Sequence, residues 1–358
     1  MKTVLILAGG TGGHVFPGLA VARGLRELGV RVVWVGTHQG LEARLVPQAG
    51  LPLEWITIQG LRRGSLRDLL FLPGRLVVAL WQTLRIFRRH KPNVVLALGG
   101  FVAGPGGIMA WLTRTPLVVH EQNACAGLTN RWLALMADRV LCGFPDAFHS
   151  LPGAIHIGNP VRAEMLHLPK PEVRLAGRTP PLHLLIVGGS QGARVLNDVV
   201  PEAVALLPPD RRPLVHHQTG RLDAARTESL YQKHGIAATV TPFIDDMAAE
   251  YMWADVVICR AGAMTIAELC AVGVAAILVP FPFATEDHQT ANARFLADRE
   301  AALCIAQGEF SVSHVAELLE GLARQPEVGT RMAERSRACA NLDATDRIVA
   351  ACLEVARA

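Results

Sequence analysis

Short runs of apolar residues recur along the chain, and each is followed by a glycine-rich or polar stretch. Continuous apolar runs that alternate with helical patterns are typical of parallel strands buried on both faces of a sheet. The run Val4–Ala8 leads into a glycine-rich turn and a helical pattern, and Leu184–Val187 does the same half a chain later. The further runs are Val30–Val35, Val94–Leu98, Leu117–Val119 and Arg139–Cys142 in the first half, and Leu214–Val215, Thr239–Val240, Val256–Cys259 and Ala276–Val279 in the second. The pattern predicts two similar α/β domains, each a doubly wound parallel sheet.

Residues that favour helix ends delimit the first predicted helix. Pro17 stands near its start and Gly29 stands just past its end, which is a common arrangement in helices. Between them an apolar residue recurs at every third position, at Leu19, Ala22, Leu25 and Leu28. This spacing predicts one buried stripe, so the first glycine-rich turn leads into an amphipathic helix.

Proline content and helical pattern set the expected domain boundaries. The stretch Gly158–Pro181 holds five prolines and is predicted to be the linker between the domains. The last stretch, Ala344–Ala358, has a helical pattern. We therefore expect residues 1–160 to form an N-terminal domain, with 342–358 crossing back to it, and residues 161–341 to form a C-terminal domain.

Composition narrows the class of protein. The chain is 51% hydrophobic and 18% charged, which excludes a disordered protein. A formal net charge of +4 suits an anionic small molecule or a membrane surface better than nucleic acid, whose binders usually show a basic stripe. The seven cysteines form no C-x-x-C pair, which favours reduced thiols in a cytoplasmic protein over disulfides or a zinc site. A membrane span needs about 20 consecutive apolar residues, and the sequence contains no such run.

Three glycine-rich loops, Gly9–His14, Gly99–Gly107 and Gly188–Ala193, follow predicted strands. Glycines between a strand and a helix bring backbone N–H groups and the positive helix end to one point, which suits an anion. Any single loop could be an ordinary turn, but three at strand ends, two of them in matching halves, favour phosphorylated ligands. The spacings G-x-G-x-x-G and G-x-x-x-x-G-K-[ST] are both absent, which argues against a dinucleotide or P-loop site.

Polar side chains follow other predicted strands. Glu121 comes directly after the strand that begins at Leu117, and Arg260 comes directly after Val256–Cys259. Ligands of open α/β sheets bind at the carboxyl ends of the strands, so these positions are candidates for a site. The sequence from Thr265 to Glu268 also matches a capping box, which gives Glu268 a purely structural alternative.

Seven motifs occur in a fixed order. They are GGTGGH at 9–14, GGF at 99–101, EQNA at 121–124, GNPVR at 158–162, GGSQGA at 188–193, RAGAMTIAE at 260–268 and DHQxxNA at 287–293. Together they resemble the MurG family of peptidoglycan N-acetylglucosaminyltransferases, and the resemblance spans nearly the whole chain. It implies a GT-B fold of two Rossmann-like domains facing a deep cleft. The C-terminal domain is then expected to bind UDP-N-acetylglucosamine (UDP-GlcNAc), and the N-terminal domain lipid I, which is undecaprenyl-pyrophosphoryl-MurNAc-pentapeptide.

The resemblance also implies the reaction. The sugar is transferred directly, with inversion at its anomeric carbon, to the 4-hydroxyl of MurNAc, and the product is lipid II for peptidoglycan. We expect neither a cofactor nor a metal ion, because helix-start N–H dipoles can stabilise the leaving UDP and no D-x-D motif is present. We expect the enzyme to be peripheral, on the cytoplasmic face of the bacterial inner membrane.

Individual residues take roles from the same resemblance. The implied donor-binding residues are Arg162, Ser190, Gln191, Ile244, Ala263, Met264, Thr265, Glu268, His288 and Gln289. The implied acceptor-binding residues are Thr11, Gly12, Gly13, His14, Gly100, Phe101 and Asn123. Glu268 suits the two ribose hydroxyls because a carboxylate offers two acceptor oxygens. The MurNAc hydroxyl must lose a proton, and both His14 and Glu121 are candidates for the base, between which the sequence does not decide.

Other functions fit parts of the pattern. A UDP-GlcNAc 2-epimerase or a lipid glucosyltransferase would share the fold, but an epimerase would leave the N-terminal loops without a ligand. A dinucleotide-dependent oxidoreductase is disfavoured by the failed glycine spacing. A disaccharide product from UDP-GlcNAc and a lipid I analogue would separate these functions.

The segment Gly60–Lys91 is both basic and apolar. It carries the cations Arg62, Arg63, Arg67, Arg75, Arg85, Arg88, Arg89 and Lys91, and its one acid is Asp68. A basic amphipathic segment is typical of helices that lie on anionic membranes. We expect docking on the membrane through residues 60–91, although a helix of an α/β domain needs an apolar stripe for its own core in any case.

Overall fold

The computed structural model describes residues 1–58, 66–149, 151–189, 192–284 and 287–356, and it describes the side chains of all of these except 66–72. The chain divides into two compact units. The first comprises Met1–Arg162 together with Asn341–Ala358, and the second comprises Ala163–Ala340.

The first unit is built on a parallel sheet. Its strands are β1 (Thr3–Ala8), β2 (Arg31–Gly36), β3 (Leu53–Trp55), β4 (Val94–Gly99), β5 (Leu117–Glu121), β6 (Arg139–Cys142) and β7 (Ala154–His156). They lie in the order β3-β2-β1-β4-β5-β6-β7, and every neighbouring pair is parallel. The helices are α1 (Gly12–Glu27), α2 (Glu42–Gln48), α3 (Leu66–His90), α4 (Ala103–Leu112) and α5 (Leu128–Ala134), and the chain returns at its end as α15 (Ala344–Val355).

Alternation along the central strand divides the core of this unit into two layers. Val4, Ile6 and Ala8 pack on one face of the sheet, in a cluster with buried side chains of α1 and α15. Leu5 and Leu7 pack on the other face, in a cluster with buried side chains of α3 and α4. Because both faces are covered, the strand is apolar at every position.

The second unit repeats this topology. Its strands are β8 (His183–Val187), β9 (Leu214–Gln218), β10 (Ala238–Thr241), β11 (Val256–Cys259), β12 (Ala275–Leu278) and β13 (Leu303–Cys304), in the order β10-β9-β8-β11-β12-β13. The helices are α6 (Ala163–Leu166), α7 (Pro171–Arg174), α8 (Arg194–Leu206), α9 (Ala224–Lys233), α10 (Met247–Trp253), α11 (Ala263–Val272), α12 (His288–Ala297), α13 (Val312–Arg324) and α14 (Pro326–Ala338). In both units the first strand is central and the order reverses beside it, as in a Rossmann sheet.

Each predicted strand is present, with ends shifted by up to three residues, but two expectations about the connections are wrong. The first helix begins at Gly12, so Pro17 lies inside it rather than in its first turn. The predicted linker is wrong beyond Arg162, because α6 and α7 belong to the second unit. The buried side chain of Arg174 anchors this segment by donating hydrogen bonds to the carbonyl oxygens of Ala254 and Gly273.

In the described part of the chain, no helix has the length and apolar character to span a membrane.

Candidate active site

In the first unit, two loops meet where the strand order reverses. The carboxyl ends of β1 and β4 are neighbours, and the loops that follow them carry Gly9–His14 and Gly99–Phe101. Gly100 has φ of +79°, and a Cβ there would strike the carbonyl oxygen of Gly9, so the two loops pack directly against each other. Phe101, in the second loop, leaves 57% of its surface exposed. The predicted acceptor residues of the two loops therefore lie at one point of the sheet.

The N-terminus of α1 faces this point. Thr11 is the N-cap, with extended backbone and no side-chain cap, and Gly12, Gly13 and His14 form the first turn. The first N–H groups of a helix have no acceptor within the helix, and the helix dipole adds a partial positive charge. A pyrophosphate therefore suits this position.

A buried carboxylate accepts a hydrogen bond from the first glycine loop, and the sequence analysis did not predict it. Glu42 is fully buried, and its oxygens accept hydrogen bonds of 2.9 Å from the backbone N–H of Gly10 and from both the N–H and the hydroxyl of Thr37. A Cβ at Gly9, Gly36 or Gly40 would collide with the Glu42 side chain, so these glycines make its space. Glu42 fixes the loop and the end of β2 together.

His14 belongs to a chain of hydrogen bonds that reaches into the core. Its Nδ1 lies 2.8 Å from Oε1 of Gln122, and Nε2 of Gln122 lies 2.9 Å from both the carbonyl oxygen and Nδ1 of His120. Nε2 of His120 then lies 3.0 Å from the carbonyl oxygen of Gly158. His120 is fully buried, and burial lowers its pKa from 6.5 to about 4, so it is neutral near pH 7. Neither Gln122 nor His120 was predicted to be a site residue.

Glu121, the rival candidate for the base, is 2% exposed and has its carboxylate fully engaged. One oxygen accepts from the backbone N–H of Asn123 at 2.9 Å and from its side-chain amide at 3.2 Å. The other accepts from the N–H of Gly127 at 3.1 Å and from the amide of Asn130 at 2.9 Å. Four donors fill the directions in which a carboxylate accepts hydrogen bonds, so Glu121 shapes the loop after β5, and His14 is better placed to take a proton.

In the second unit, the corresponding reversal lies between β8 and β11. The loop after β8 includes Ser190 and Gln191, which lie outside the described residues. On either side of them, Gly188 donates to the carbonyl oxygen of Gln218 at 3.0 Å, and Gly192 has φ of +77° and lies so close to the carbonyl of Thr219 that a Cβ would collide with it. Gly188 and Gly192 therefore both pack against the end of β9, and Gly192 lies two residues before the start of α8.

The helix after β11 carries the next predicted residues. Gly262 is the N-cap of α11, with no side-chain cap, and Ala263, Met264 and Thr265 are its first three residues. Their N–H groups start the helix and suit a phosphate. Glu268 is the sixth helical residue, so the capping-box alternative for it is wrong. Its carboxylate lies 3.4 Å from the hydroxyl of Tyr251.

A cavity of about 330 Å³ in the second unit lies beside the start of α8 and the residue that follows β11. It is lined by Gly192, Ala193, Arg194, Val195, Arg260, Phe281, Gln289 and Gln307. Arg260 donates to Oε1 of Gln307 at 2.7 Å and to the carbonyl oxygen of Val279 at 3.1 Å, and its guanidinium lies 5.4 Å from the centre of the Phe281 ring. Burial lowers the pKa of Arg260, which nevertheless stays cationic near neutral pH. Arg260 is thus a fixed cation in a cavity of the size that suits part of a nucleotide sugar.

The remaining predicted donor residues lie at the start of a helix or in the segments that connect helices and strands. Gln289 lines the cavity and accepts a hydrogen bond of 2.9 Å from the N–H of Phe281. His288 is the first residue of α12, behind an N-cap, Asp287, that holds a left-handed φ of +52°. Ile244 lies in the loop between β10 and α10, and Arg162 is the last residue of the first unit before the chain enters the second.

Among the described side chains, no group of His, Cys, Asp and Glu has an arrangement that could hold a metal ion.

Family models match both units of the chain. Residues 4–142 match the glycosyltransferase family 28 N-terminal domain, and residues 183–348 match the glycosyltransferase family 28 C-terminal domain. A crystal structure of MurG from Acinetobacter baumannii has a TM-score of 0.87 and 37% sequence identity, and the match covers 99% of this chain and 100% of that one. The predicted fold class, with two doubly wound parallel-sheet domains of the GT-B type, is confirmed.

Relatives of similar length carry one name. A UDP-N-acetylglucosamine–N-acetylmuramyl-(pentapeptide) pyrophosphoryl-undecaprenol N-acetylglucosamine transferase of Cupriavidus metallidurans is 52% identical over 355 residues, which cover 99% of this chain and 98% of the relative. A protein of the same name from Alkalilimnicola ehrlichii is 53% identical over 354 residues, covering 99% of both chains. The chain therefore belongs to glycosyltransferase family 28 and, within it, to the MurG family that its motifs resemble.

Proposed function

We propose that the chain transfers N-acetylglucosamine from UDP-GlcNAc to the MurNAc 4-hydroxyl of undecaprenyl-pyrophosphoryl-MurNAc-pentapeptide and so forms lipid II. Its full-length relatives carry the name of this transfer. The structural observation that carries the proposal is that each unit has an uncapped helix start at its strand-order reversal, α1 in the first unit and α11 in the second. The reaction needs two such sites, because donor and acceptor each carry a diphosphate.

The second unit supplies the donor half of the chemistry. The N–H groups at the start of α11 face the UDP diphosphate, and Arg260 adds a fixed positive charge within the same unit. As the bond between the sugar carbon and the phosphate oxygen breaks, negative charge collects on UDP, and aligned donors stabilise that charge without a bound metal. Glu268 accepts the ribose hydroxyls, and Gln289 and His288 face the sugar.

The first unit supplies the acceptor half. Thr11, Gly12 and Gly13 hold the acceptor pyrophosphate at the start of α1, with Gly100, Phe101 and Asn123 beside it. His14 takes the proton of the 4-hydroxyl while that oxygen bonds to the anomeric carbon from the face opposite UDP, which inverts the carbon. The proton ends on the imidazole, and the electron pair of the broken bond leaves with UDP.

The acceptor's lipid tail requires contact with a bilayer, and one face of α3 suits that contact. Val77 and Trp81 expose 65% and 56% of their surface, and the Arg85 guanidinium lies 4.7 Å from the centre of the Trp81 ring. The other face of α3, with Ile86 and Phe87, is buried against the sheet. The helix therefore has one face in the core and one apolar face exposed to solvent. Arg62, Arg63 and Gly60 lie outside the described residues, and the side chain of Arg67 is not described.

Two further helices of the first unit also expose tryptophan, α4, which packs on α3, and α5, which packs on α4. Trp111 at the end of α4 is 58% exposed and Trp132 on α5 is 63% exposed, and tryptophan favours the interface between headgroups and acyl chains. We infer that this face of the first unit docks on anionic lipid at the cytoplasmic face of the inner membrane. Each arginine near such a surface contributes roughly 1 kcal/mol.

Purified protein with UDP-GlcNAc and a lipid I analogue tests the transfer. The expected product is a β-1,4-linked disaccharide formed in equal amount to UDP. UDP release without the disaccharide, or epimerised UDP-sugar without the acceptor, would contradict the proposed function.

Liposome co-sedimentation tests the docking. Binding should require anionic lipid, weaken as salt is added, and fall strongly in the triple variant Arg75→Glu, Arg85→Glu, Arg88→Glu. The matched control reverses three exposed arginines of the second unit, Arg221, Arg299 and Arg331, and should bind as the native protein does. Equal losses in both variants would mean that net charge alone drives binding, and the assigned surface would then be wrong.

A further inference from the structure

We propose that Gln122 is a positioning residue which, backed by His120, holds His14 in the tautomer with hydrogen on Nδ1, so that Nε2 presents its lone pair to the acceptor hydroxyl. The proposal rests on the proposed function for its catalytic consequence, but the tautomer itself is a property of the protein without substrate.

The inner end of the chain has only one consistent arrangement of protons. The carbonyl oxygen of Gly158 can only accept, so Nε2 of His120, 3.0 Å away, carries the hydrogen. His120 is neutral because burial lowers its pKa to about 4. A neutral imidazole carries one hydrogen, so Nδ1 of His120 holds a lone pair.

This lone pair fixes the orientation of the Gln122 amide. One end of the amide lies 2.9 Å from both Nδ1 of His120 and the carbonyl oxygen of His120, and both are acceptors. Only the NH₂ group has two hydrogens to give, so that end is Nε2, and Oε1 must face outward. Asn159 donates a further hydrogen bond of 2.9 Å to the backbone carbonyl of Gln122, which holds the residue in place.

The amide oxygen then determines the state of His14. Oε1 of Gln122 lies 2.8 Å from Nδ1 of His14 and can only accept, so Nδ1 carries the hydrogen and Nε2 is left with its lone pair. The ring is confined on another side by Gly99, where a Cβ would lie 2.8 Å from its Cε1 atom. The opposite tautomer would present an N–H to the substrate hydroxyl and could not take its proton.

An amide is a weaker partner than the carboxylate of a Ser-His-Asp triad, where the same orienting task is done with a negative charge. Because Oε1 is neutral, Gln122 selects the tautomer without strongly stabilising the imidazolium that forms during transfer.

Two variants and one spectroscopic measurement test the proposal. Gln122→Met keeps the length of the side chain but removes the acceptor opposite His14. It should lower kcat by about 10-fold or more, but by no more than the roughly 10²–10⁴-fold that the loss of a general base costs. KM for UDP-GlcNAc should stay unchanged. Gln122→Glu keeps an acceptor opposite Nδ1 of His14 and, with a proton on the oxygen that faces the acceptors of His120, should retain a larger kcat than the methionine variant.

The tautomer is read directly from long-range ¹H–¹⁵N correlations on protein labelled with ¹⁵N-histidine, with the His14 signals among the thirteen histidines identified by their loss in His14→Asn. The native protein without substrate should show hydrogen on Nδ1, and Gln122→Met should show a mixture or the opposite tautomer. Hydrogen on Nε2 in the native protein, or an unchanged tautomer in Gln122→Met, would overturn the proposal whatever the reaction. A changed tautomer with unchanged kcat would instead overturn the role of His14 as the base.

Discussion

Acid should destabilise the second unit through His217, an imidazole of β9 that is 1% exposed. Its Nδ1 lies 3.0 Å from the hydroxyl of Tyr231, and its Nε2 lies 3.0 Å from Oδ1 of Asn197 in the first turn of α8. Both contacts are satisfied by the neutral ring, and burial lowers its pKa from 6.5 to about 3. The informative change is His217→Gln, because an amide can donate to Asn197 and accept from Tyr231 without titrating.

The size of the effect follows from proton uptake on unfolding. Between pH 6.5 and about pH 3 the unfolded chain binds a proton at this residue and the folded chain does not, so unfolding is favoured as the pH falls. Lowering the pH from about 7.5 to about 5.5 should therefore remove about 1.4 kcal/mol from the free energy of unfolding through His217 alone. That figure barely depends on the folded pKa, since the folded ring is still neutral at the lower pH.

Urea unfolding followed by circular dichroism at the two pH values measures this quantity. The native protein should lose about 1.4 kcal/mol more than His217→Gln over the same pH change. Any stability that the variant loses at both pH values cancels, because each protein is compared with itself. A difference below about 0.5 kcal/mol would mean that His217 is hydrated or charged in the folded state, and the assigned hydrogen-bond pattern would be wrong.

Three further substitutions test the site. His14→Ala should lower kcat by about 10²–10⁴-fold with donor affinity unchanged, as measured by initial rates and UDP binding; near-normal turnover would remove His14 from the chemistry. Glu268→Gln should raise KM for UDP-GlcNAc without changing thermal unfolding, because Glu268 is too far along α11 to cap it; an unchanged KM would contradict ribose recognition. Glu42→Gln turns an amide N–H toward the N–H of Gly10 or Thr37 and should cost about 1–3 kcal/mol in urea unfolding, and an unaffected protein would show that the glycine loop does not depend on the carboxylate.

The strands could be predicted from sequence because each is buried on both faces, and an apolar run then marks the strand without knowledge of its neighbours. The starts of the helices were harder to predict from sequence than the strands. The apolar stripe of the first helix begins only at Leu19, whereas the first turn, Gly12 to His14, contains two glycines with poor helix propensity. The linker prediction was wrong at Pro171 because proline is common both in loops and in the first turn of a helix. Pro171 is the first residue of α7.

The residues of the candidate site also differ in how far they could be predicted from sequence. Residues within a motif, such as Ala263 to Thr265, could be located because a strand, a glycine and a helix start are local features. The partners of those residues could not be located in this way. His14 and Gln122 are separated by 108 positions, and Gly10 and Glu42 by 32, so their hydrogen bonds exist only once the sheet has brought the loops together. A single sequence gives a buried glutamate or glutamine no signal that distinguishes it from a solvated one.

The discontinuity of the first unit has a consequence for synthesis on the ribosome. Residues 163–340 form a continuous unit, whereas the first unit is complete only with the last residues of the chain, whose Ile348, Val349 and Cys352 are buried in its core. The growing chain therefore finishes its second unit while the part of the first core that α15 covers beside α1 is still exposed. Until α15 has been synthesised and has packed on the first unit, those uncovered apolar residues are a surface for chaperones or for aggregation. A stop codon just before Ala344 would keep all of residues 163–340, which form the second unit, and leave the first unit without α15.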